Sequence, residues 1–140
     1  MVDDVLLNKV ASIERGIVRV REEYAAAGEN FATDYSRQDA AILNIQRACE
    51  AALDLGYHLI RRDKLGLPQS ARNVFDLLAQ SGRIEMPLAK SLKKMVGFRN
   101  IAVHDYQALV LPITVSVITE HLDDFLLLTR ALLQYDQKAK

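Results

Sequence analysis

The sequence has few of the features that define several large classes of protein. Its 140 residues contain one cysteine, Cys49, no tryptophan and three prolines. A single cysteine excludes a disulfide framework within one chain and a zinc site built from several cysteines. No apolar run approaches the roughly 20 residues that span a bilayer, and the start Met1-Val2-Asp3-Asp4 lacks the basic region of a secretory signal. We therefore expect a cytoplasmic globular protein with one domain, residues 1–140.

The chain also has no net charge, because eighteen basic and eighteen acidic side chains cancel. This balance argues against a uniformly basic surface for nucleic acid, although it allows a local patch. The charges are segregated along the chain. Residues 56–100 hold nine basic and three acidic side chains, a net of +6, and the segments on either side are acidic. The basic middle is therefore the segment whose charge needs an explanation.

The spacing of apolar residues predicts two long helices in the first half of the chain. Apolar residues recur every three or four positions from Leu6 to Ala27, which predicts a first helix that ends at Gly28. A second helix is predicted from about Arg37 to Asp63 by the same spacing. Ser36 is its predicted N-cap, and Asp39, three residues later, resembles the second half of a capping box.

Cap and proline signals predict the remaining helices. Ser70 predicts the start of a short third helix over residues 71–80. Pro87 and Pro112 suit the first turns of a fourth and a fifth helix, where the missing N–H costs nothing. Residues 108–118 are rich in β-branched side chains, but a lone strand would have no partner, so loop followed by helix is the preferred prediction. The expected fold is an all-α, antiparallel bundle of four to five helices with short loops.

Polar residues interrupt the apolar face of the fourth helix near its end. The stripe that runs from Leu88 to Met95 continues by helical steps to Arg99. An arginine on a buried face must be paired or must face a functional cleft. Asn100 and His104 are four residues apart, so Asn100 could orient the imidazole. Arg99 and His104 lie about 140° apart on an ideal helix, and they converge on one substrate only if the helix end unwinds or a second copy completes the site.

The spacing of Arg99, His104 and Tyr106 resembles the R-x4-H-x-Y signature of the HepT-like toxin branch of the HEPN superfamily. Asn100 fills the polar position that usually follows the arginine in that family. The flanking run over residues 97–104, GFRNIAVH, is typical of the same branch. Chain length, the all-α pattern and the place of the motif before the last helix agree with the resemblance, which covers most of the chain.

The resemblance implies a metal-independent endoribonuclease toxin of a type VII-like toxin–antitoxin system, with no cofactor. It implies a homodimer in which two motifs face each other across a cleft, with Arg99 and His104 as catalytic residues and Asn100 in support. It further implies a partner antitoxin with a minimal nucleotidyltransferase fold, which transfers AMP groups onto Tyr106. For an RNA substrate, the basic middle supplies candidates for backbone contacts, and these are Arg83, Lys90, Lys93 and Lys94.

The residue types of the motif suit cleavage of RNA by its own 2′-hydroxyl. That reaction needs a base for the 2′ proton, an acid for the departing 5′ oxygen and a cation for the charge that builds up on the phosphate. Imidazole can act as base or acid near neutral pH, which is typically worth about 10²–10⁴-fold in rate. Guanidinium offers paired donors that match phosphate oxygens. One histidine cannot easily fill both proton roles, whereas a dimer supplies His104 twice.

Two other functions remain open at the level of the sequence. A HEPN-like bundle can be a non-catalytic helical module that binds nucleotide or recruits substrate for a partner nucleotidyltransferase. The chain can also be a structural all-α subunit in which Arg99 and His104 only satisfy an interface. The presence of both motif residues favours catalysis, because a scaffold has no need of both.

Overall fold

The computed structural model describes residues 3–139, and they form helices joined by short turns and loops. Four uninterrupted helices are followed by a fifth in three segments: α1 (Asp4–Ala27), α2 (Tyr35–Asp63), α3 (Ala71–Gln80), α4 (Met86–His104) and α5, which comprises Leu111–Ser116, a π-helical turn at Val117–His121, and Leu122–Lys138. Two 3₁₀ turns lie at Gly28–Asn30 and Tyr106–Ala108. Residues 3–139 contain no strand, and the prediction of an all-α bundle of four to five helices is confirmed.

The hydrophobic core draws side chains from all five helices. Phe75 of α3 and Phe125 of α5 are among the largest fully buried side chains, and α1, α2 and α4 contribute branched aliphatic residues around them. The predicted stripes of α1 and α2 are the buried faces of these helices in the structure. Within residues 3–139, no helix combines the length and the apolar character that crossing a membrane requires.

The helix ends follow the predicted caps in most places. Gly28 ends α1 with a φ of 54°, a conformation that glycine adopts without strain. The Ser70 side chain accepts a hydrogen bond from the N–H of Asn73 and starts α3. The prediction for α2 was wrong by two residues. Asp34, rather than Ser36, caps the helix by accepting from the N–H of Arg37 at 3.1 Å.

The last helix begins as predicted but is not uniform. Pro112 lies in its first turn, and residues 111–116 are helical, so the alternative of a strand is wrong. The turn at Val117–His121 is π-helical, which the sequence did not predict. Such single π turns insert a residue into a helix and often lie at functional sites. The buried stripe from Ile118 to Leu132 is nevertheless continuous with the core.

An ionic network ties the start of α1 to the ends of α2 and α5. The Asp3 carboxylate accepts from His58 Nε2 at 2.7 Å and from Arg62 at 2.8 Å, and Arg62 also donates to Asp136 at 2.7 Å. Burial by itself raises the pKa of Asp3, but these bonds and one from the N–H of Leu6 outweigh it, so the pKa lies well below its usual value. The network explains His58 as a structural residue.

Helix α4 runs antiparallel to α2, and this packing sets the candidate site. Near the middle of α4, the Cys49 thiol of α2 lies 3.9 Å from the carbonyl oxygen of Met95. Just after α4 ends, Tyr106 meets Asp39, which lies ten residues earlier in α2 than Cys49. The end of α4 therefore lies against the first half of α2.

Candidate active site

Helix α4 carries both halves of the motif without a break. It stays regular to its last residue, His104, and the N–H of Asp105 closes the final turn by donating to the Ile101 carbonyl at 2.8 Å. The helix end does not unwind, so Arg99 and His104 keep the separation of about 140° that an ideal helix gives them. Within one protomer the two side chains therefore point to different surfaces.

Arg99 lies in the packed interface between α4 and α2. Its side chain is 17% exposed, and its Nε lies 3.3 Å from Oε1 of Glu50 on α2. The Nε atom is buried and has no hydrogen-bond partner within residues 3–139, because the contact with Glu50 does not have hydrogen-bond geometry. Because Nε is buried, an anion such as phosphate can reach only the exposed part of the Arg99 side chain.

The neighbouring thiol of Cys49 is not reactive in this setting. Burial raises its pKa to about 12, although the nearby positive charge of Arg99 acts in the opposite direction. The thiol is therefore protonated at neutral pH and leaves the charge of Arg99 uncompensated on that side. Cys49 acts as a small core residue beside the guanidinium.

His104 is exposed at the C-terminal end of α4. A side chain at this place is free to approach a substrate, and a cation there also interacts favourably with the helix dipole. Within residues 3–139, no hydrogen bond joins Asn100 to His104, so the expected orientation of the imidazole by Asn100 is not observed. Asn100 is half-buried on the same helix face.

Tyr106 lies in the 3₁₀ turn that follows the motif helix. Its ring is 42% exposed, and its hydroxyl donates a hydrogen bond to Oδ1 of Asp39. Burial and the hydrogen bond to the Asp39 carboxylate raise the pKa of Tyr106 to about 12. Asp39, which the sequence assigned to a capping box with Ser36, therefore serves the tertiary structure instead.

The four basic candidates divide into two exposed and two engaged side chains. Lys90 and Lys94 are exposed on α4. Lys93 donates to Asp76 at 2.9 Å, so its charge is paired. Arg83 is poorly placed to contact a nucleic-acid backbone, because its side chain is only 11% exposed. It donates to an Asp63 oxygen at 3.1 Å and packs over the ring of Tyr135 at 4.4 Å.

An apolar groove runs along the opposite side of α4 from Arg99. Its volume is about 780 Å³, and its floor is formed by α4 and the segment that leads into α5. Ile101, Val110 and Ile113 line it and are each more than 40% exposed. Lys90 and Lys94 lie at its edge. Exposed aliphatic side chains grouped in this way are typical of a surface that another molecule covers.

A second, polar groove of about 480 Å³ lies between α1 and α2 and reaches Glu50, the residue that holds Arg99. Arg15 and Arg47 line it, and both come from the acidic first part of the chain rather than from the basic middle. The sequence did not point to Arg15 and Arg47, because the summed charge of a stretch of sequence does not show which side chains lie on the same surface of the fold. It also missed Glu50, which no local pattern links to a residue 49 positions away.

Within residues 3–139, no group of three or more His, Cys, Asp or Glu side chains is placed to hold a metal ion.

Comparisons with known proteins agree with the motif. The profile of the ribonuclease HepT-like family matches residues 13–132. The mRNA nuclease HepT of Shewanella oneidensis is 51% identical over 123 residues, which cover 88% of this chain and 92% of that protein.

Two solved structures are similar over almost the whole chain. A toxin–antitoxin structure with AMP-PNP has a TM-score of 0.90 at 47% identity, covering 94% of this chain and 99% of the other. A structure of the tri-AMPylated HEPN toxin of Shewanella oneidensis in complex with its MNT antitoxin also has a TM-score of 0.90 at 47% identity, covering 95% and 99%. The chain belongs to the HepT-like ribonuclease family of HEPN proteins.

Proposed function

We propose that this protein is a metal-independent endoribonuclease toxin of a toxin–antitoxin pair, acting in the cytoplasm, where its RNA substrate is. Arg99 and His104 are its proposed catalytic residues, and Tyr106 is the proposed site at which a nucleotidyltransferase antitoxin attaches AMP. The observation that carries the proposal is the placement of an incompletely satisfied guanidinium, an exposed imidazole and an exposed phenol at one end of α4. The mRNA nuclease and the AMPylated toxin–antitoxin complex to which the chain is similar support it.

The proposed reaction assigns one task to each group. His104 accepts the proton of the RNA 2′-hydroxyl, whose oxygen then attacks the adjacent phosphorus. Arg99 donates to the non-bridging oxygens and offsets the charge that develops there. Water protonates the departing 5′-oxygen, so each site needs one His104 as base and one Arg99. The products are a 2′,3′-cyclic phosphate and a free 5′-hydroxyl, and Asn100 is retained only as a supporting residue.

We propose that two copies form this site, because one copy cannot bring Arg99 and His104 together on a regular helix. The exposed apolar groove beside α4 offers a surface for a second copy, but it lies on the side of α4 away from Arg99, so it supports a dimer and does not by itself bring Arg99 to the second His104. Light scattering at micromolar concentration should therefore give the mass of a dimer. A monomer under those conditions would contradict the shared site.

We expect AMP on Tyr106 to silence the enzyme. An adenylyl group adds a phosphodiester anion two residues from His104, where its charge repels RNA and its bulk fills the cleft. Lys90 and Lys94, which are exposed, remain candidates for contacts with the RNA backbone. Lys93 becomes a candidate only if RNA displaces Asp76.

The experiment that tests the function is an RNA cleavage assay with a chelator present. Purified protein, checked by intact mass for the absence of AMP, is incubated with total cellular RNA, and the ends are analysed. We expect cleavage with 2′,3′-cyclic phosphate ends by the wild type, and loss of cleavage in His104→Ala. His121→Gln is the control, because it also removes an imidazole but lies in the π-helical turn of α5; since His121 lines the apolar groove, light scattering must first show that this variant has the same mass as wild type.

Two outcomes would contradict the proposal. Full activity of the His104→Ala variant would refute the catalytic assignment. An unmodified wild-type dimer that cuts no RNA would favour the non-catalytic helical module, which binds nucleotide or recruits substrate for a partner.

A further inference from the structure

The hydroxyl of Tyr106 is not free in the structure, because the Asp39 carboxylate of α2 accepts its hydrogen bond. The two residues are 67 positions apart in sequence, and the contact depends on the antiparallel packing of α2 against α4. Asp39 lies in the second turn of α2 and has no part in capping that helix, which Asp34 performs. The carboxylate therefore has no local structural task that explains its position.

We propose that Asp39 orients the Tyr106 hydroxyl for AMP transfer and accepts its proton during the reaction. This inference rests on the function proposed above, in which Tyr106 is the acceptor of AMP. Asp39 contacts the reacting oxygen directly, so its proposed role is that of a base supplied by the modified protein itself.

The chemistry of the transfer explains why such a base is needed. The Tyr106 oxygen attacks the α-phosphorus of ATP, a new P–O bond forms, and the bond to the leaving pyrophosphate breaks. The phenolic proton passes to the Asp39 carboxylate. Because the pKa of Tyr106 is raised to about 12, very little phenolate exists at neutral pH, and the hydroxyl must lose its proton as the bond forms. An aspartate that accepts the proton of the attacking hydroxyl serves phosphoryl transfer in the same way.

The surroundings of the two residues show which of them is held by a helix and which lies in a turn. Asp39 is itself exposed, but it lies on α2 two and three residues before the buried Ala41 and Ile42, so its backbone belongs to a helix that is packed into the core. Tyr106, in contrast, lies in a short 3₁₀ turn with an exposed ring. The hydrogen bond thus holds a side chain on a short loop in one orientation, with its hydroxyl at the protein surface.

The test compares AMP transfer to wild type and to variants, with ATP and the MNT antitoxin of Shewanella oneidensis as the transferase. That antitoxin is chosen because a toxin it binds is 47% identical to this chain. Asp39→Asn removes the base and keeps the size of the side chain. Asp39→Glu keeps a carboxylate, and Asp105→Asn is the matched control, because it removes a negative charge next to Tyr106 in sequence. Circular dichroism confirms that each variant is folded, and intact mass follows the modification.

We expect Asp39→Asn to lower the rate of the first AMP transfer about 100-fold or more at neutral pH. Asp39→Glu should recover part of this loss, and Asp105→Asn should stay within about twofold of wild type. The ratio of the Asp39→Asn rate to the wild-type rate should rise about tenfold per pH unit, because hydroxide then takes the phenolic proton in place of the carboxylate. A residue that only supports the turn would lower the rate equally at every pH.

The failures of the two proposals are distinguishable. Modification of Asp39→Asn at the wild-type rate overturns the role of Asp39 and leaves Tyr106 as the acceptor. If the antitoxin modifies this chain and Tyr106→Phe is modified as fast as wild type, the proposed acceptor role of Tyr106 fails, and the role of Asp39 fails with it.

Discussion

A mixed dimer of two inactive variants should recover activity if the site is shared between copies. Arg99 and His104 are five residues apart on an unbroken helix, which corresponds to about 140° of rotation and about 7.5 Å of rise. With side chains extended, the guanidinium and the imidazole of one copy lie on the order of 10–15 Å apart. One phosphodiester cannot contact both, since each contact requires a separation of roughly 3 Å.

The expected activity follows from counting intact sites. If each site takes Arg99 from one copy and His104 from the other, a dimer of Arg99→Ala with His104→Ala has one intact site and one site that lacks both residues. We therefore expect about half of the wild-type activity per dimer, although each homodimeric variant is inactive. A dimer of wild type with the double variant has two half-sites and should be inactive.

The assay uses two affinity tags so that only mixed dimers are purified, followed by RNA cleavage at matched dimer concentration. A site within one copy reverses both expectations, because the dimer of wild type with the double variant would then keep one complete site. That reversed pattern would refute the geometric reasoning. Inactivity of both mixed dimers would instead indicate one central site that needs all four side chains.

Three further predictions concern stability, and each is measured by urea unfolding. Asp3→Asn should lower the free energy of unfolding at pH 7. The difference from wild type should shrink as the pH falls from about 4 towards the lower folded pKa of Asp3, because a carboxyl with a lowered pKa stabilises the fold only while it is ionised. A difference in unfolding free energy that stays constant down to pH 2 would contradict this. Gly56→Ala should destabilise by about 1–2 kcal/mol, because its Cβ would overlap the buried Val74 side chain. Gly97→Ala should stabilise the protomer by up to about 1 kcal/mol, since its Cβ meets only the flexible end of Arg72 at 3.0 Å, and a loss of dimer mass in the same variant would show that the glycine serves the contact between copies.

Local signals predicted the helices well because those signals act over one or two turns. Ser70 and Pro112 start helices by satisfying or omitting N–H groups within the first turn, and the structure agrees at both. The start of α2 was misplaced because Asp34 and Ser36 are both good N-caps two residues apart. Choosing between them depends on how the preceding turn packs, which the sequence pattern does not contain.

The candidate site was predictable only as far as the motif reached. Arg99, His104 and Tyr106 were identified from their spacing, but their partners on α2 were not, because an ion pair or hydrogen bond across 49 or 67 positions leaves no periodic trace. Arg83 was chosen as an RNA contact only because it lies in the basic stretch of the sequence. Its burial against Asp63 shows that the net charge of a stretch does not tell which of its basic side chains are exposed.

At the end of α4, the charged side chain is buried and the aliphatic side chains are exposed, which is the reverse of an ordinary surface helix. Arg99 faces the core, while Ile101 and Val103 are more than 40% exposed. A helix that only stabilised the bundle would exchange these positions, burying the aliphatic side chains and exposing the cation. The arrangement leaves aliphatic surface exposed on one face and, on the other, a guanidinium whose charge only Glu50 offsets. A second copy would cover the aliphatic face, and an RNA phosphate at the exposed part of the Arg99 side chain would use its charge. Such departures from local rules are expected where a sequence is selected for an activity as well as for its fold.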